Sequence, residues 1–563
     1  MYADFCYLFD RSDRLRFALM IFLMLCGSLV EMLTLGAVPI FVSGIMNGIG
    51  PTLSRFCTQE EFPLYGSLAL LGLFIFRTAY FMALHWFQER ILRNRQIALG
   101  SRIFQAYMGV PYSVVRGINS NKVINGVSSE TERLINEMLD PLTSLLRNCF
   151  VSFAILLLLA YFDWKVSLCA FGALALAGGC FMLLSRRRIE RFGGLAHDAR
   201  KESVKILTEG MGTLKEAIIL GCRKAFSGRL HRELEKEARA LRILHTTQKN
   251  LWPAMELLTV LVLLGTFAIL LAGGRMPQEI APTLALMTVS LARLKGCITE
   301  MMLFFSTLRY NSSVLREIAD DLRKLEAEAA GNAQPAAELE FKDRISVENM
   351  TFRYPDAERP VLVNVSFCIQ RGESIGFVGA TGSGKTTMAE LLLGLFEPNS
   401  GNIRVDGQDI QENLPGWQRQ LGFVPQDIYL LDDTIRANVA LGVKPEDIDE
   451  TALERALKAA QLADFIAGLP KGDRTIIGEN GTLLSGGQRQ RIGIARALYR
   501  NPSVIVFDEA TSALDNDTEA AVVSAIESLR GEHTLVIVAH RLSTIASCNK
   551  VFRFENGTIS NCN

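Results

Sequence analysis

The sequence carries no net charge, because 59 lysine and arginine residues balance 59 aspartate and glutamate residues. No overall charge field therefore points to a nucleic acid or to an acidic partner. Cysteine also lacks pattern: the 11 cysteines are odd in number, scattered and without a CxxC spacing. Neither a zinc site nor a disulfide framework is indicated.

The N-terminus lacks the marks of a cleaved signal peptide. In "MYADFCYLFDRSDRLRF" charges precede an apolar run, but that run has no small-residue cleavage site and is too long for a signal sequence. We expect a retained first membrane span, preceded by a short cytoplasmic helix.

Long apolar stretches are abundant, and the mean hydropathy of the chain is positive, at +0.21. A bilayer is crossed by about 20 apolar residues in a helix. The pattern predicts six spans, near 17–46, 65–86, 142–162, 166–185, 252–273 and 281–306.

The loops between these stretches set the orientation. Residues 87–137 and 186–250 carry 7 and 16 lysines and arginines, whereas 48–64 and 270–280 carry one each. Basic loops stay on the cytoplasmic side, so both termini are predicted to be cytoplasmic. The basic loops also have helical patterns, which predicts long cytoplasmic extensions of the spans with turns near 109–120 and 219–229.

A change of pattern follows the last apolar stretch. Residues 322–341, "LRKLEAEAAGNAQPAAELEF", are rich in alanine and glutamate and are interpreted as a linker. Beyond it, short strands alternate with amphipathic helices, which favours an α/β domain. The predicted domains are therefore a membrane domain over 1–321, this linker, and a soluble domain over 342–563.

The soluble domain contains a phosphate-binding loop. Gly379 to Thr387, "GATGSGKTT", fits GxxxxGK[ST] between an apolar strand and a helical pattern. Such a loop wraps backbone N–H groups around phosphates, the lysine reaches the β- and γ-phosphates, and a hydroxyl holds Mg²⁺. The predicted ligands are Gly379, Thr381, Gly382, Ser383, Gly384, Lys385, Thr386 and Thr387, with Thr386 on the metal.

A second apolar strand, "SVIVFDEA", ends in two acids. A parallel strand of this kind delivers acids to the edge where phosphates bind, so Asp508 is predicted to hold Mg²⁺ and Glu509 to polarise the attacking water. Capping of the next helix by either acid is the alternative interpretation.

The segment "LLSGGQRQRIGIARAL" resembles the signature of ABC transporter ATPases. Further motifs follow the family order: "FRYP" with Tyr354, "FVPQD" with Gln426, "TIIGENG", "SALD" and "IVAHR" with His540. The resemblance implies that Tyr354 stacks on the adenine of ATP, that Gln426 joins the Mg²⁺ shell and the catalytic group, and that His540 is catalytic. It also implies that a partner subunit supplies signature residues to each ATP. These are Ser485, Gly486, Gly487 and Gln488 of the signature, together with Asp515 of the "SALD" motif.

Six spans fused ahead of this ATPase resemble an exporter-type half-transporter. The implied fold class is a multi-domain membrane protein, with an all-α six-span domain carrying long cytoplasmic extensions and an α/β P-loop ATPase domain. The implied location is the bacterial inner membrane, with the ATPase in the cytoplasm. The catalytic consensus is intact, which favours a homodimer with two equal sites and leaves the active half of a heterodimer open.

The cargo is sought in the ionisable residues of the spans, which usually face a bundle interior or a cavity. In one interpretation Arg77 pairs with Glu31, and Arg293 pairs with Glu256, for packing alone. In the other, Arg77 and Arg293 line a cavity and bind an anionic group such as phosphate, which a planar guanidinium suits.

Short motifs in the spans, "GSLVEMLTLGAVPIF", "FIFRTAY" and "SLARLK", are similar to bacterial flippases for lipid-linked oligosaccharides. This resemblance implies an amphipathic diphosphate cargo. Alternatives of the same fold are a lipid A, general lipid or multidrug exporter and a peptide exporter. An ABC ATPase without transport is a further class, which the fused spans disfavour.

Overall fold

The computed structural model describes residues 2–46, 48, 58–116, 123–124, 126–272, 277–310, 314–330, 339–355, 357–509, 516–539 and 541–561. The chain forms two compact units. The membrane unit comprises Met1–Gly109 and Ile118–Ala327, and the ATPase unit comprises Val110–Gly117 and Glu328–Asn563. The short segment Val110–Gly117 thus groups with a domain that begins more than 200 positions later in the chain.

The described part of the first 330 residues is helical. Apolar runs form helices there because a helix satisfies all of its own backbone hydrogen bonds. The helices are α1 (Tyr2–Leu8), α2 (Arg11–Met46), α3 (Phe62–Gly109), α4 (Tyr112–Val115), α5 (Thr131–Arg133), α6 (Asp140–Gly212), α7 (Leu214–Ile219), α8 (Arg223–Lys249), α9 (Leu251–Ala272), α10 (Pro277–Tyr310) and α11 (Val314–Ala330). Two π-helical segments, Gly126–Glu130 and Leu134–Leu139, flank α5 ahead of α6.

Four helical stretches of the described residues are long and apolar enough to cross a membrane. They are Arg11–Met46, Phe62–Gly109, Gly126–Tyr161 and Arg223–Ala268. The predicted count of six spans is not confirmed. The stretch 166–185 lies within α6, and 281–306 lies within α10, which carries Arg293, Lys295 and Glu300.

The helical stretch α6 is not one straight helix. Ser152 and Gly178 are 26 positions apart, which would separate them by about 39 Å on a straight helix. Yet the Ser152 hydroxyl lies 4.0 Å from the sulfur of Met301, and a Cβ at Gly178 would lie 3.1 Å from the sulfur of the adjacent Met302. The chain therefore reverses direction between these two positions.

Helices α2, α6 and α10 share one apolar core in the membrane unit. Leu35 of α2 packs in the same buried cluster as Val151 and Ile155 of α6 and Leu291 and Leu294 of α10. This core fixes the relative positions of the three helices.

The ATPase unit contains ten strands among its described residues. They are β1 (Arg344–Phe352), β2 (Leu362–Gln370), β3 (Ser374–Gly379), β4 (Ser400–Val405), β5 (Gln408–Asp409), β6 (Leu421–Val424), β7 (Val504–Asp508), β8 (Thr534–Val538), β9 (Lys550–Glu555) and β10 (Thr558–Asn561). Its α-helices after residue 341 are α12 (Lys385–Leu392), α13 (Leu414–Gln418), α14 (Ile435–Val439), α15 (Glu450–Ala459), α16 (Ala463–Ala467), α17 (Gly486–Leu498), α18 (Asn516–Ser528) and α19 (Leu542–Ile545). The predicted α/β architecture is confirmed.

The strands form two sheets. An antiparallel sheet has the order β2-β1-β4-β5, and a larger sheet has the order β10-β9-β3-β8-β7-β6. In the larger sheet β9, β3, β8, β7 and β6 run parallel, and every residue of β7 and β8 is buried. Buried parallel strands end at a common edge, so the residues that follow β3, β6 and β7 meet there.

Candidate functional site

The phosphate-binding loop connects β3 to α12 as the sequence predicts. Gly384 is the N-cap of α12 and has φ of +106°. The next residue, Lys385, is only 4% exposed, and its Nζ donates to the carbonyl oxygens of Gly379 and Ala380 at 2.9 and 3.0 Å. Burial lowers the pKa of the Lys385 ammonium, although the nearby carboxylates of Glu509 and Asp508 oppose that shift. The lysine is thus held inside the loop that a triphosphate would fill.

Two glycines of this loop are required by space as well as by backbone angle. A Cβ at Gly379 would lie 2.4 Å from the carbonyl oxygen of Phe554, and one at Gly384 would lie 2.6 Å from a methyl of Leu362. The hydroxyl of Ser383 is buried and has no hydrogen-bond partner among the described residues. An unpartnered buried hydroxyl in a glycine-rich turn fits a loop built to receive phosphate oxygens.

The predicted metal ligands separate into two groups. The Thr386 hydroxyl donates to the Asp508 carboxylate at 3.2 Å, which brings together a hydroxyl and a carboxylate, ligands that suit Mg²⁺. Asp508 is 8% exposed, and burial raises the pKa of its carboxyl. The third predicted ligand, Gln426, instead donates from Nε2 to Glu509 at 2.9 Å.

Glu509 has an uncommon backbone conformation. Its φ is +48°, in the left-handed region that non-glycine residues rarely adopt. Its amide donates to the carbonyl of Val538 on β8 at 2.9 Å, which holds the residue directly after β7. Strained residues of this kind persist where the surrounding fold determines them, and they cluster at active sites. Of the predicted catalytic residues, Glu509 and Gln426 are in contact through the hydrogen bond described above. The third, His540, lies outside the described residues.

Tyr354 lies beside the phosphate loop. Its hydroxyl is 2.9 Å from Thr387 Oγ1 and donates to Glu390 at 2.9 Å, and burial raises its pKa. The guanidinium of Arg116 lies over its ring, 4.3 Å from the centroid. Sequence reasoning missed Arg116, because no motif marks it and 238 positions separate it from Tyr354.

The signature segment opens α17. Ser485 is its N-cap and forms a capping box with Gln488: the Gln488 amide donates to the Ser485 hydroxyl at 3.3 Å, and the Ser485 amide donates to Gln488 Oε1 at 2.8 Å. Gly486 and Gly487 form the first turn, whose N–H groups carry the positive end of the helix dipole. Asp515 lies outside the described residues.

A charged cluster of three side chains lies in the membrane unit. Glu31 is fully buried, and it accepts from Arg77 Nε at 2.5 Å and from Arg77 Nη2 at 2.8 Å. Arg293 Nε donates to the same carboxylate at 2.8 Å, rather than to Glu256, its partner in the packing interpretation. One carboxylate therefore serves two guanidiniums, and the three side chains of this arginine cluster together carry one positive charge.

Comparisons with known proteins agree with this architecture. Two family models match the chain: "ABC transporter transmembrane region" over residues 21–293 and "ABC transporter" over residues 362–512. A bacterial Atm1-family ABC exporter with ATP bound shares the fold, with a TM-score of 0.78 and 24% identity over 97% of this chain and 95% of that one.

Curated relatives match along nearly the whole chain. An ATP-dependent lipid A-core flippase of Ralstonia nicotianae is 30% identical over 93% of this chain and 88% of its own length. The protein of the same name from Cupriavidus metallidurans is 30% identical over 93% and 87%, respectively. The chain therefore belongs to the ABC transporter family, as an inner-membrane exporter whose fused ATPase domain couples ATP hydrolysis to transport.

Proposed function

We propose that the protein is a homodimeric flippase that moves an anionic glycolipid of the lipid A type across the bacterial inner membrane. The observation that carries this proposal is the similarity, over 93% of the chain, to proteins named lipid A-core flippase. It favours the lipid A alternative over the lipid-linked oligosaccharide suggested by the short span motifs.

The arginine cluster supports an anionic cargo. A guanidinium at membrane depth is costly unless it is paired, and Glu31 can neutralise only one of the two arginines. The surplus charge suits the phosphates of a glycolipid, because a guanidinium binds phosphate oxygens through two parallel hydrogen bonds. Arg77 and Arg293 are the proposed cargo ligands.

The ATPase unit would bind and hydrolyse the ATP that drives transport. Lys385 and the loop amides would hold the phosphates of ATP, and Tyr354 would stack on its adenine. Thr386 and Asp508 would hold Mg²⁺, which neutralises phosphate charge, with Gln426 completing the shell after it leaves Glu509. Glu509, once released from Gln426, would orient the attacking water, and His540 would contact the γ-phosphate.

A second copy of the chain would complete each ATP site. Its Ser485, Gly486, Gly487 and Gln488, together with Asp515, would close over the γ-phosphate. The N-terminus of α17 offers the donors that such a contact needs. Closure of two such sites would drive the change of the membrane domains between inward and outward states.

The test is ATPase stimulation of the reconstituted protein by lipid A, polyprenyl-diphosphate glycans, peptides and drugs. Lipid A should give the largest ratio of stimulated to basal rate. Arg77→Ala and Arg293→Ala should each lower that ratio, and Arg293→Ala should lower it more, because its loss removes a charge-assisted phosphate contact worth about tenfold in affinity. The matched control is Arg93→Ala on α3, which removes an exposed arginine paired with Glu89 at 3.2 Å and should leave the ratio unchanged.

Stimulation by peptides or neutral drugs but not by lipid A would reject the proposed cargo. A maximal response to polyprenyl-diphosphate glycans would restore the oligosaccharide interpretation. Equal lipid A stimulation in both arginine variants and in the control would assign the arginines to packing alone.

A further inference from the structure

The side chain of Arg116 covers the ring of Tyr354. Arg116 lies with its guanidinium carbon 4.3 Å from the ring centroid, well within the range of a cation–π contact. The same guanidinium is 5.7 Å from the ring of Phe396, which packs nearly perpendicular to Tyr354 at 5.4 Å between centroids. Arg116 therefore rests on an aromatic pair beside the phosphate loop.

The remaining surroundings of Tyr354 are occupied by the domain itself. Its hydroxyl contacts Thr387 and Glu390 of α12, and Phe352 packs against the ring nearly perpendicularly at 5.0 Å between centroids. These contacts come from α12 and from the strand that ends two residues before Tyr354, whereas Arg116 is an exposed residue at the end of the short helix α4. Displacing Arg116 from Tyr354 therefore costs less free energy than displacing any of these other neighbours.

An adenine stacked on the face of Tyr354 that Arg116 covers would compete with the guanidinium for that face. Base stacking on an aromatic ring is worth more than a cation–π contact at a partly exposed site. ATP would therefore displace Arg116, but its apparent affinity would be lowered by the contact that must first break. The inference rests on the adenine-stacking role proposed for Tyr354 and is independent of the cargo.

We propose that Arg116 occupies the adenine-stacking surface of the Tyr354 ring until ATP binds and displaces it. Binding of the base releases the segment Val110–Gly117 from this anchor. Tyr112 of the same segment packs against Phe396 at 5.8 Å between centroids, so the segment keeps a second contact after Arg116 has left. Since α3 ends at Gly109, the released segment is joined directly to a long helix of the membrane unit.

The experiment measures equilibrium binding of a non-hydrolysable ATP analogue to the full-length protein. Arg116→Ala should tighten binding about two- to fivefold, the factor for one lost cation–π contact. Loss of a positive charge near a triphosphate would by itself weaken binding, so the direction of change is diagnostic. Arg116→Gln, which keeps a planar polar end without the charge, should change affinity in the same direction and serves if the alanine variant fails to fold.

Three controls test whether the effect of Arg116 depends on the Tyr354 ring and on the adenine base. In a Tyr354→Ala background, Arg116→Ala should no longer tighten ATP binding, because the ring for which Arg116 and adenine compete is absent. Inorganic tripolyphosphate, which has no base, should bind no more tightly to Arg116→Ala than to the parent. Arg359→Ala, at an exposed arginine of the loop between β1 and β2, should leave ATP affinity unchanged.

Weaker or unchanged ATP binding in both Arg116 variants would overturn the proposal, and weaker binding would mean that Arg116 attracts the nucleotide instead. Tighter binding that persists without Tyr354, or that extends to tripolyphosphate, would overturn it as well. Normal ATP affinity in Tyr354→Ala alone would instead reject the stacking role on which the inference rests.

Discussion

Neutralising Glu31 tests the arginine cluster most directly. Glu31 is fully buried and accepts hydrogen bonds from both Arg77 and Arg293. Glu31→Gln keeps the shape and one acceptor but removes the only charge in this cluster that opposes the two guanidiniums. Breaking a buried pair in this way typically costs about 3–5 kcal/mol. The unfolding temperature in lipid nanodiscs should therefore fall clearly.

The same substitution should change cargo binding in the opposite direction. It raises the charge of the cluster from one positive unit to two. At an effective dielectric constant of about 20, one unit charge at about 7 Å contributes roughly 2 kcal/mol, or about a 30-fold gain in affinity for an anionic lipid. Lipid A titration of the ATPase rate at a temperature where the variant is folded measures this gain.

The matched control is Glu89→Gln on α3. Glu89 pairs with Arg93 on the exposed face of the same helix, and such pairs contribute less than about 1 kcal/mol. Unaltered thermal stability in Glu31→Gln would refute the reasoning about the buried pair. Reduced stability together with weaker lipid stimulation would refute the role of the surplus charge in cargo binding.

Two predictions concern the ATPase unit. Glu509→Gln should bind ATP normally but hydrolyse it at least about 100-fold more slowly, because the amide cannot polarise water; near-normal phosphate release would contradict that role. Burial raises the pKa of Asp508, so its charged form is disfavoured in the fold; this cost grows as pH rises from the ordinary pKa toward the raised pKa and is fully present above it. Asp508→Asn, which keeps an acceptor for Thr386, should therefore raise the unfolding temperature of the nucleotide-free protein at neutral pH while abolishing Mg²⁺-dependent hydrolysis. The stabilisation should shrink as pH falls, and a lower unfolding temperature at pH 7 would contradict it.

The ATPase site is the part that could be predicted best from the sequence. Thr386 and Asp508 are 122 positions apart, but each follows a strand of a parallel sheet, and such strands end at one edge. Strand pattern and motif order were therefore enough to place them together. The contact between Gln426 and Glu509 was not predicted, because motifs name residues that share a ligand and do not say which bond exists before it binds.

The membrane unit was harder to predict, for physical reasons. Apolar runs identify helices but do not specify how they pack, since every face of such a run is apolar. One interpretation paired Arg293 with Glu256, which lies closer in sequence, yet Arg293 donates to Glu31 on α2, because α2 and α10 share one buried core. The contact of Arg116 with Tyr354 has the same origin, as only the tertiary fold brings them together.

The geometry of the cluster also ranks the two arginines. Arg77 meets Glu31 through two nitrogens, and its guanidinium lies 5.8 Å from the ring centroids of both Phe74 and Phe81. Arg293 meets Glu31 through Nε, and its side chain is 38% exposed against 20% for Arg77. A residue held by a two-point pair and two rings has little freedom to bind a second anion. The packing interpretation therefore applies mainly to Arg77, which fixes Glu31. The cargo interpretation applies mainly to Arg293, which offers the surplus positive charge to a phosphate.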